Sequence, residues 1–296
     1  MKIVLTGSLG HISRPLTIDL VGQGHIVTVI SSDATKQKEI EALGAMPAIG
    51  SAEDSGFLAA TFSGADAVYS MIPPNNYFDH NLDLAAYYER LGNNYAQAVK
   101  VSDVQRLVHL SSIGAHLDKG NGILSGTFVV EKILGNLNGA TVTFMRPTSF
   151  YYNLAGYING IKTDGVISAN YGTESLIPWV SPLDIAVAVA EELTAPSGAL
   201  VRYVASEELS GERTAKILGT AIGKPDLRWK LISDQQALGH LVSIGMNPVI
   251  AAGLVEMYAA LQNGLLSSDY RLNRPEQMGK VKLTDYAKEF AVAYNS

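Results

Sequence analysis

Short apolar runs alternate with longer amphipathic stretches through the first half of this chain. KIVL at 2–5, HIVTVI at 25–30, MPAI at 46–49, AVYSMI at 67–72, LVHL at 107–110 and TVTFM at 141–145 are too short for helices. Their apolar residues run together instead of alternating, the mark of strands buried on both faces. Between them, 35–43 reads as a charged helix closed by Gly44, 55–62 as one ended at Gly64, 81–101 as a long helix, and 127–134 as another. Strands and helices in strict alternation predict an α/β fold, a doubly wound parallel sheet covered on both sides.

The first strand runs into TGSLGHIS at 6–13, an amphipathic helix and a second strand. That is a Rossmann-type unit, which binds a dinucleotide. Gly7 lets the chain turn off the strand, and Gly10 lets the backbone approach a pyrophosphate. The amides opening the helix then face the anion. The spacing is G-x-x-G, and Ser13 stands where a third glycine would close helix onto sheet. Ligands of such sheets sit at the carboxyl ends of the strands. The cofactor contacts expected there are Gly7, Ser8, Leu9, Gly10, His11 and Ile12, then Ser51 after the third strand and Met71, Ile72 and Pro73 after the fourth. Ser111 and Ser112 follow the fifth strand, Thr127 opens the next helix, and Pro147 and Phe150 follow the sixth strand.

The second half changes character. Residues 167–180 read as extended segments around Gly172, 182–193 as an apolar helix started by Ser181, and 201–204 and 228–232 as strands. Helices are expected from 210 to 219, over 234–243 and 248–263, and as an amphipathic tail at 283–293. The division expected is a dinucleotide-binding domain at 1–150 and a smaller α+β substrate-side subdomain at 151–296, with helix 182–193 returning to the first.

Composition narrows the function. With 296 residues, 47% of them hydrophobic, the chain can bury a large core. A net charge of −6 without a basic run argues against nucleic acid. Absence of cysteine excludes disulfides and thiolate chemistry and fits a reducing compartment. The chain enters a core strand at once, so no signal peptide is expected, and the apolar stretch at 185–190 is too short to span a bilayer. A cytoplasmic protein is expected. The six histidines show no H-x-x-x-H spacing, so no metal is predicted.

TGSLGHIS, MIPPN at 71–75, LVHLSSIGA at 107–115, MRPTSFYYN at 145–153, IPWVSPLDIA at 177–186 and GKVKLTDYAKEFA at 279–291 occur in this order along nearly the whole chain. Together they resemble the NmrA-like branch of the atypical short-chain dehydrogenase/reductases. The resemblance implies NADPH-dependent reduction of quinones, azo dyes or triphenylmethane dyes, or else a silent NADP-binding sensor that reports redox state to a partner protein. It also implies a departure. Alignment through Glu131 places Ile123 at the position of the catalytic Tyr of ordinary short-chain dehydrogenases and Thr127 at that of the Lys. Neither exchanges a proton near neutral pH. What remains open is direct hydride transfer to an electron-poor acceptor that takes its proton from water; no flavin is expected.

The end of the second strand bears on the cofactor. Ser31 and Ser32, with Arg14 and Lys36, could hold a 2′-phosphate, whereas Asp33 would favour a free 2′-hydroxyl if it points inward. NADP(H) is favoured, with NAD(H) as the alternative. Tyr77, Phe78, Tyr151, Tyr152 and Trp179 are candidate walls for a flat acceptor, and Asn153 could orient a carbonyl or cap a helix. His109 reads as a core residue, and His80 and His116 are loop candidates for a proton donor. An apolar face on 248–261 would permit a homodimer. The partner expected otherwise is a small-molecule electron acceptor.

Overall fold

The computed structural model describes residues 1–172, 176–196 and 198–296. Its strands are β1 (Lys2–Leu5), β2 (Ile26–Ser31), β3 (Met46–Ile49), β4 (Ala67–Met71), β5 (Arg106–Leu110), β6 (Thr141–Pro147), β7 (Ser149–Phe150), β8 (Val166–Ala169), β9 (Ile177–Val180), β10 (Val201–Val204), β11 (Glu207–Leu209) and β12 (Arg228–Leu231). Its helices are α1 (Ser13–Gly22), α2 (Gln37–Ala42), α3 (Ser55–Phe62), α4 (Leu84–Ser102), α5 (Ser125–Gly135), α6 (Ile158–Asp164), α7 (Pro182–Thr194), α8 (Gly211–Ala221), α9 (Asp234–Ser243), α10 (Pro248–Gln262), α11 (Ser268–Leu272) and α12 (Leu283–Asn295). The extended reading of 167–180 corresponds to β8 and β9, and its residues 173–175 lie outside the described residues.

Seven strands form one sheet in the order β10-β6-β5-β4-β1-β2-β3. Every neighbouring pair in it is parallel. The strand order reverses at β1, so a crevice opens between the carboxyl ends of β1 and β4. The unbroken apolar strands follow from burial on both faces. On β1, Ile3 and Leu5 enter one core with Leu16 and Leu20 of α1 and Val189 of α7. Val4 points the other way, into a core with Leu58 and Phe62 of α3, Tyr95 and Val99 of α4 and Val130 of α5.

Chain from both sides of residue 150 builds this sheet. Strand β10 pairs with β6, and α7 packs on α1 and across β4, β5 and β6. Helix α7 starts where Ser181 accepts from the Leu183 amide and Pro182 fills the first turn. The remainder of the second half has its own core. Tyr151, Ile167, Tyr171, Trp179, Trp229 and Phe290 meet there, under the small sheets β11-β9-β7 and β12-β8.

Candidate active site

The turn after β1 is held by backbone bonds on two sides. The Thr6 amide donates to Tyr69 O and the Ser8 amide to Ile30 O, each at 3.0 Å. Gly7 has φ +88°, and a Cβ there would lie 2.8 Å from Ser13 Oγ. Ser13 uses its hydroxyl where a third glycine was lacking: Oγ donates to Thr6 O at 2.8 Å and pins the first turn of α1 to the end of β1. Around Gly10 the nearest atom to an added Cβ is Gly7 O at 3.2 Å, so the backbone stands bare toward the crevice. Helix α1 opens with no side-chain cap and no acidic residue in its first turn. Within that turn the Arg14 amide donates to Gly10 O at 3.0 Å and the Leu16 amide to Ile12 O at 3.1 Å, and Pro15 has no N–H, so the amides left to receive an anion are those of His11, Ile12 and Ser13.

A cleft of about 710 Å³ begins at this turn. Gly7, Ser8, Gly10, His11 and Ile12 line it, with Ser31, Ser32 and Ser51 along one side. Met71, Ile72 and Pro73 line it after β4, and Ser111, Ser112, Thr127 and Phe150 beyond. Tyr77 and Tyr152 are the candidate acceptor contacts brought into it. Rings of His11, Tyr152 and Phe150 stack in series, with centroids 4.7 and 5.0 Å apart, across the cleft from phosphate turn to β7.

Other expected contacts lie off the lining. Leu9 packs against the core beneath the turn. Pro147 is buried at the end of β6, where its carbonyl accepts from the Ile113 amide. Arg14 and Lys36 both pair with Glu39, Lys36 at 3.0 Å. Asp33 turns onto Thr35, accepting from its amide at 2.9 Å and its hydroxyl at 2.7 Å. The hydroxyl bond is the main reason its carboxyl sits below the usual range.

Four expected acceptor contacts are placed elsewhere, because core and surface claim them. Trp179 is only 1% exposed, in the second-half core. Tyr151 stacks beside it and donates to Glu207 Oε1 at 2.6 Å. Phe78 is 49% exposed. Asn153 is exposed within the 3-10 turn Tyr151–Tyr157 and caps no helix.

The cleft also has a floor that the sequence does not assign to it: Tyr69, Tyr88, Tyr95 and His109, the last expected in the core. Tyr95 OH donates to Met71 O at 2.7 Å. Tyr69 OH is buried with no partner among the described residues, and burial pushes its phenol far above the ordinary range. His109 Nδ1 lies 2.8 Å from Ser70 Oγ, and burial takes its pKa down to about 3, so the ring is neutral.

The residues that the resemblance aligns with the usual Tyr and Lys, and Ser111 at the end of β5, are turned to other uses. Ser111 Oγ donates to Glu131 Oε1 at 2.5 Å. Thr127 Oγ1 donates to Leu124 O at 2.6 Å. Ile123 joins a small core with Ile250 and Ala251 of α10, while Leu124 lines the cleft. Neither loop histidine reaches the cleft. His80 borders a second cavity of about 660 Å³, and His116 Nε2 lies 2.9 Å from Ser268 Oγ.

Residues 7–153 match the family described as NAD(P)H-binding. This segment is an NAD(P)H-binding domain. The chain is 26% identical over 276 residues to the NAD(P)H azoreductase of Xenophilus azovorans, covering 89% of each. Two solved structures share the fold at 17% identity. The NADPH complex of an NADPH-dependent quinone oxidoreductase from Escherichia coli has a TM-score of 0.79, covering 97% of this chain and 99% of that one. The NADP(H) complex of triphenylmethane reductase from Citrobacter sp. has a TM-score of 0.74, covering 98% and 99%. Around the NAD(P)H-binding domain and beyond it, no described helix is long and apolar enough to cross a membrane. No group of three or more His, Cys, Asp or Glu among the described residues is arranged to hold a metal.

Proposed function

We propose that this chain is an NAD(P)H-dependent reductase that passes a hydride to a conjugated small-molecule acceptor such as a quinone or an azo compound. The observation that carries the reading is one continuous cleft: an uncapped helix start at one end and an aromatic wall at the other. The relatives that are NAD(P)H-dependent reductases of dyes and quinones support it. When bound, the reduced nicotinamide supplies the hydride.

Everything else falls to the chain. Gly7, Gly10 and the amides of His11, Ile12 and Ser13 cradle the diphosphate. Ser31 and Ser32 receive the adenosine ribose, and Arg14 and Lys36, both paired with Glu39, supply the positive charge for a 2′-phosphate. With the Asp33 carboxylate occupied by Thr35, NADPH is preferred to NADH. The His11, Tyr152 and Phe150 rings hold a flat acceptor and keep water from the hydride path. No group at the triad positions has a proton to give, so the reduced acceptor takes its proton from water.

The test is twofold. Calorimetry should show NADPH binding more tightly than NADH. Loss of reduced-nicotinamide absorbance should then follow addition of at least one member of a panel of quinones, azo dyes and enones. Tight NADPH binding with no turnover on any acceptor would overturn the reductase reading and leave a dinucleotide-loaded sensor that acts through a protein partner.

A further inference from the structure

Ser111 borders the cleft, yet its proton faces away from it. The Ser111 hydroxyl has one proton and two lone pairs. The proton goes to Glu131 Oε1 at 2.5 Å. Glu131 cannot return it. Its Oε1 also accepts from Arg146 Nε at 2.9 Å, and its Oε2 from Arg146 Nη2 at 2.6 Å. Arg146 is fixed in turn: Nη1 donates to Asp269 Oδ2 at 3.0 Å and to Tyr203 OH at 3.2 Å, and Tyr203 OH donates to Asp269 at 2.6 Å. Arg146 and Glu131 are both about nine-tenths buried. A charged network this complete holds the Ser111 hydroxyl in one orientation.

The consequence is a polarity. Toward the cleft Ser111 offers lone pairs only. Thr127, also on the cleft wall, does the same, because its proton is held by Leu124 O. A bare carbonyl brought against either would meet oxygen lone pairs with no proton between. An N–H or O–H would find a ready acceptor.

We infer that Ser111 selects electron acceptors carrying an N–H or O–H donor on the reducible framework, and that Glu131 and Arg146 are positioning residues that fix this preference. The substrate class is thus amino- or hydroxyl-bearing quinones and azo compounds, in preference to their fully alkylated counterparts. This rests on the reductase reading of the cleft.

The experiment compares 2-amino-1,4-naphthoquinone with 2-(dimethylamino)-1,4-naphthoquinone. Kd values are measured by fluorescence quenching with NADP⁺ saturating, so no turnover intervenes. Differences intrinsic to the two quinones cancel when their Kd ratio is compared between variants. Ser111→Ala should shift the ratio about tenfold toward the dimethylamino compound, the scale of one lost hydrogen bond. Ser111→Thr retains the oxygen and should keep the wild-type ratio. Glu131→Gln can donate its amide to Ser111 and release the hydroxyl proton, so it should move the ratio at least as far as Ser111→Ala. A merely structural fault at Glu131 would weaken both quinones alike. If both quinones bind and Ser111→Ala leaves the ratio within twofold, the inference fails while the reductase reading stands. If NADPH binds and neither quinone does, the inference fails, and the reductase reading is decided by turnover on the wider acceptor panel.

Discussion

Strand β5 begins and ends beside a buried arginine–carboxylate cluster, and the two clusters do different work. At the amino end Arg106, 8% exposed, donates Nη2 to Glu192 Oε2 at 2.8 Å and Nε to the Glu192 carbonyl, while Arg202 reaches Glu192 Oε1 at 3.1 Å. Past the carboxyl end, Arg146 grips Glu131 with two nitrogens, and Glu131 grips Ser111. The first cluster is closed between β5, α7 and β10, and Arg106 Nη1 finds no partner among the described residues. The second terminates in a small hydroxyl on a cleft wall. Pairing of buried charge is alike in both. What separates structure from function is the last group in each chain of bonds and whether a ligand can touch it.

Removing either arginine tests this most severely. Arg106→Met and Arg146→Met each strand a buried carboxylate, which costs about 3–5 kcal/mol when a pair is broken. Arg106→Met should fall near the lower figure, because Arg202 still holds Glu192. Urea unfolding measures both losses. Only Arg146→Met should alter the ratio of quinone Kd values. If Arg106→Met altered it equally, the contrast between the two ends would be lost.

Between the ends sits His109. Its pKa is 6.5 in the unfolded chain and about 3 in the folded one. Between those values only the unfolded chain binds the proton. Stability is therefore level above about pH 6.5 and falls as pH drops toward 3, by at most about 1.4 kcal/mol per pH unit. His109→Gln should flatten that part of a pH–stability profile measured by urea unfolding.

The phosphate turn gives a smaller effect. Gly7→Ala places a side chain at φ +88° and 2.8 Å from Ser13 Oγ, a strain of about 1–3 kcal/mol. NADPH should bind at least about tenfold more weakly, by calorimetry. Smallest is Glu39→Gln, which frees Arg14 and Lys36 from their shared exposed carboxylate. NADPH should bind about threefold more tightly at low salt with NADH unaffected, and the gain should vanish in high salt.

The sequence made the scaffold legible wherever the signal was local. Each apolar run of the first half became a strand of the large sheet, and the glycine turn sits at its switch point. Facing was harder to read. Tyr69 looks like an ordinary core residue, because nothing in AVYSMI says that its ring ends under a cleft. Tyr151 and Tyr152 are adjacent aromatics after one strand, and only the backbone turn decides that Tyr152 joins the cleft while Tyr151 meets Glu207. The grip of Glu131 on Ser111 links residues on different elements, and no spacing rule announces it.

Ile123 packs toward α10, where a Cβ on Gly253 would stand 2.9 Å from its Cγ2, and a Cβ on Gly122 would run into Gly253 O. Helix and turn thus meet closely at the residue that the family resemblance aligns with a phenol. Ile123 also borders the second cavity, of about 660 Å³, and is absent from the lining of the cleft. A side chain at residue 123 therefore serves the packing of α10 and the wall of that cavity, and chemistry in the cleft has to be supplied from other positions.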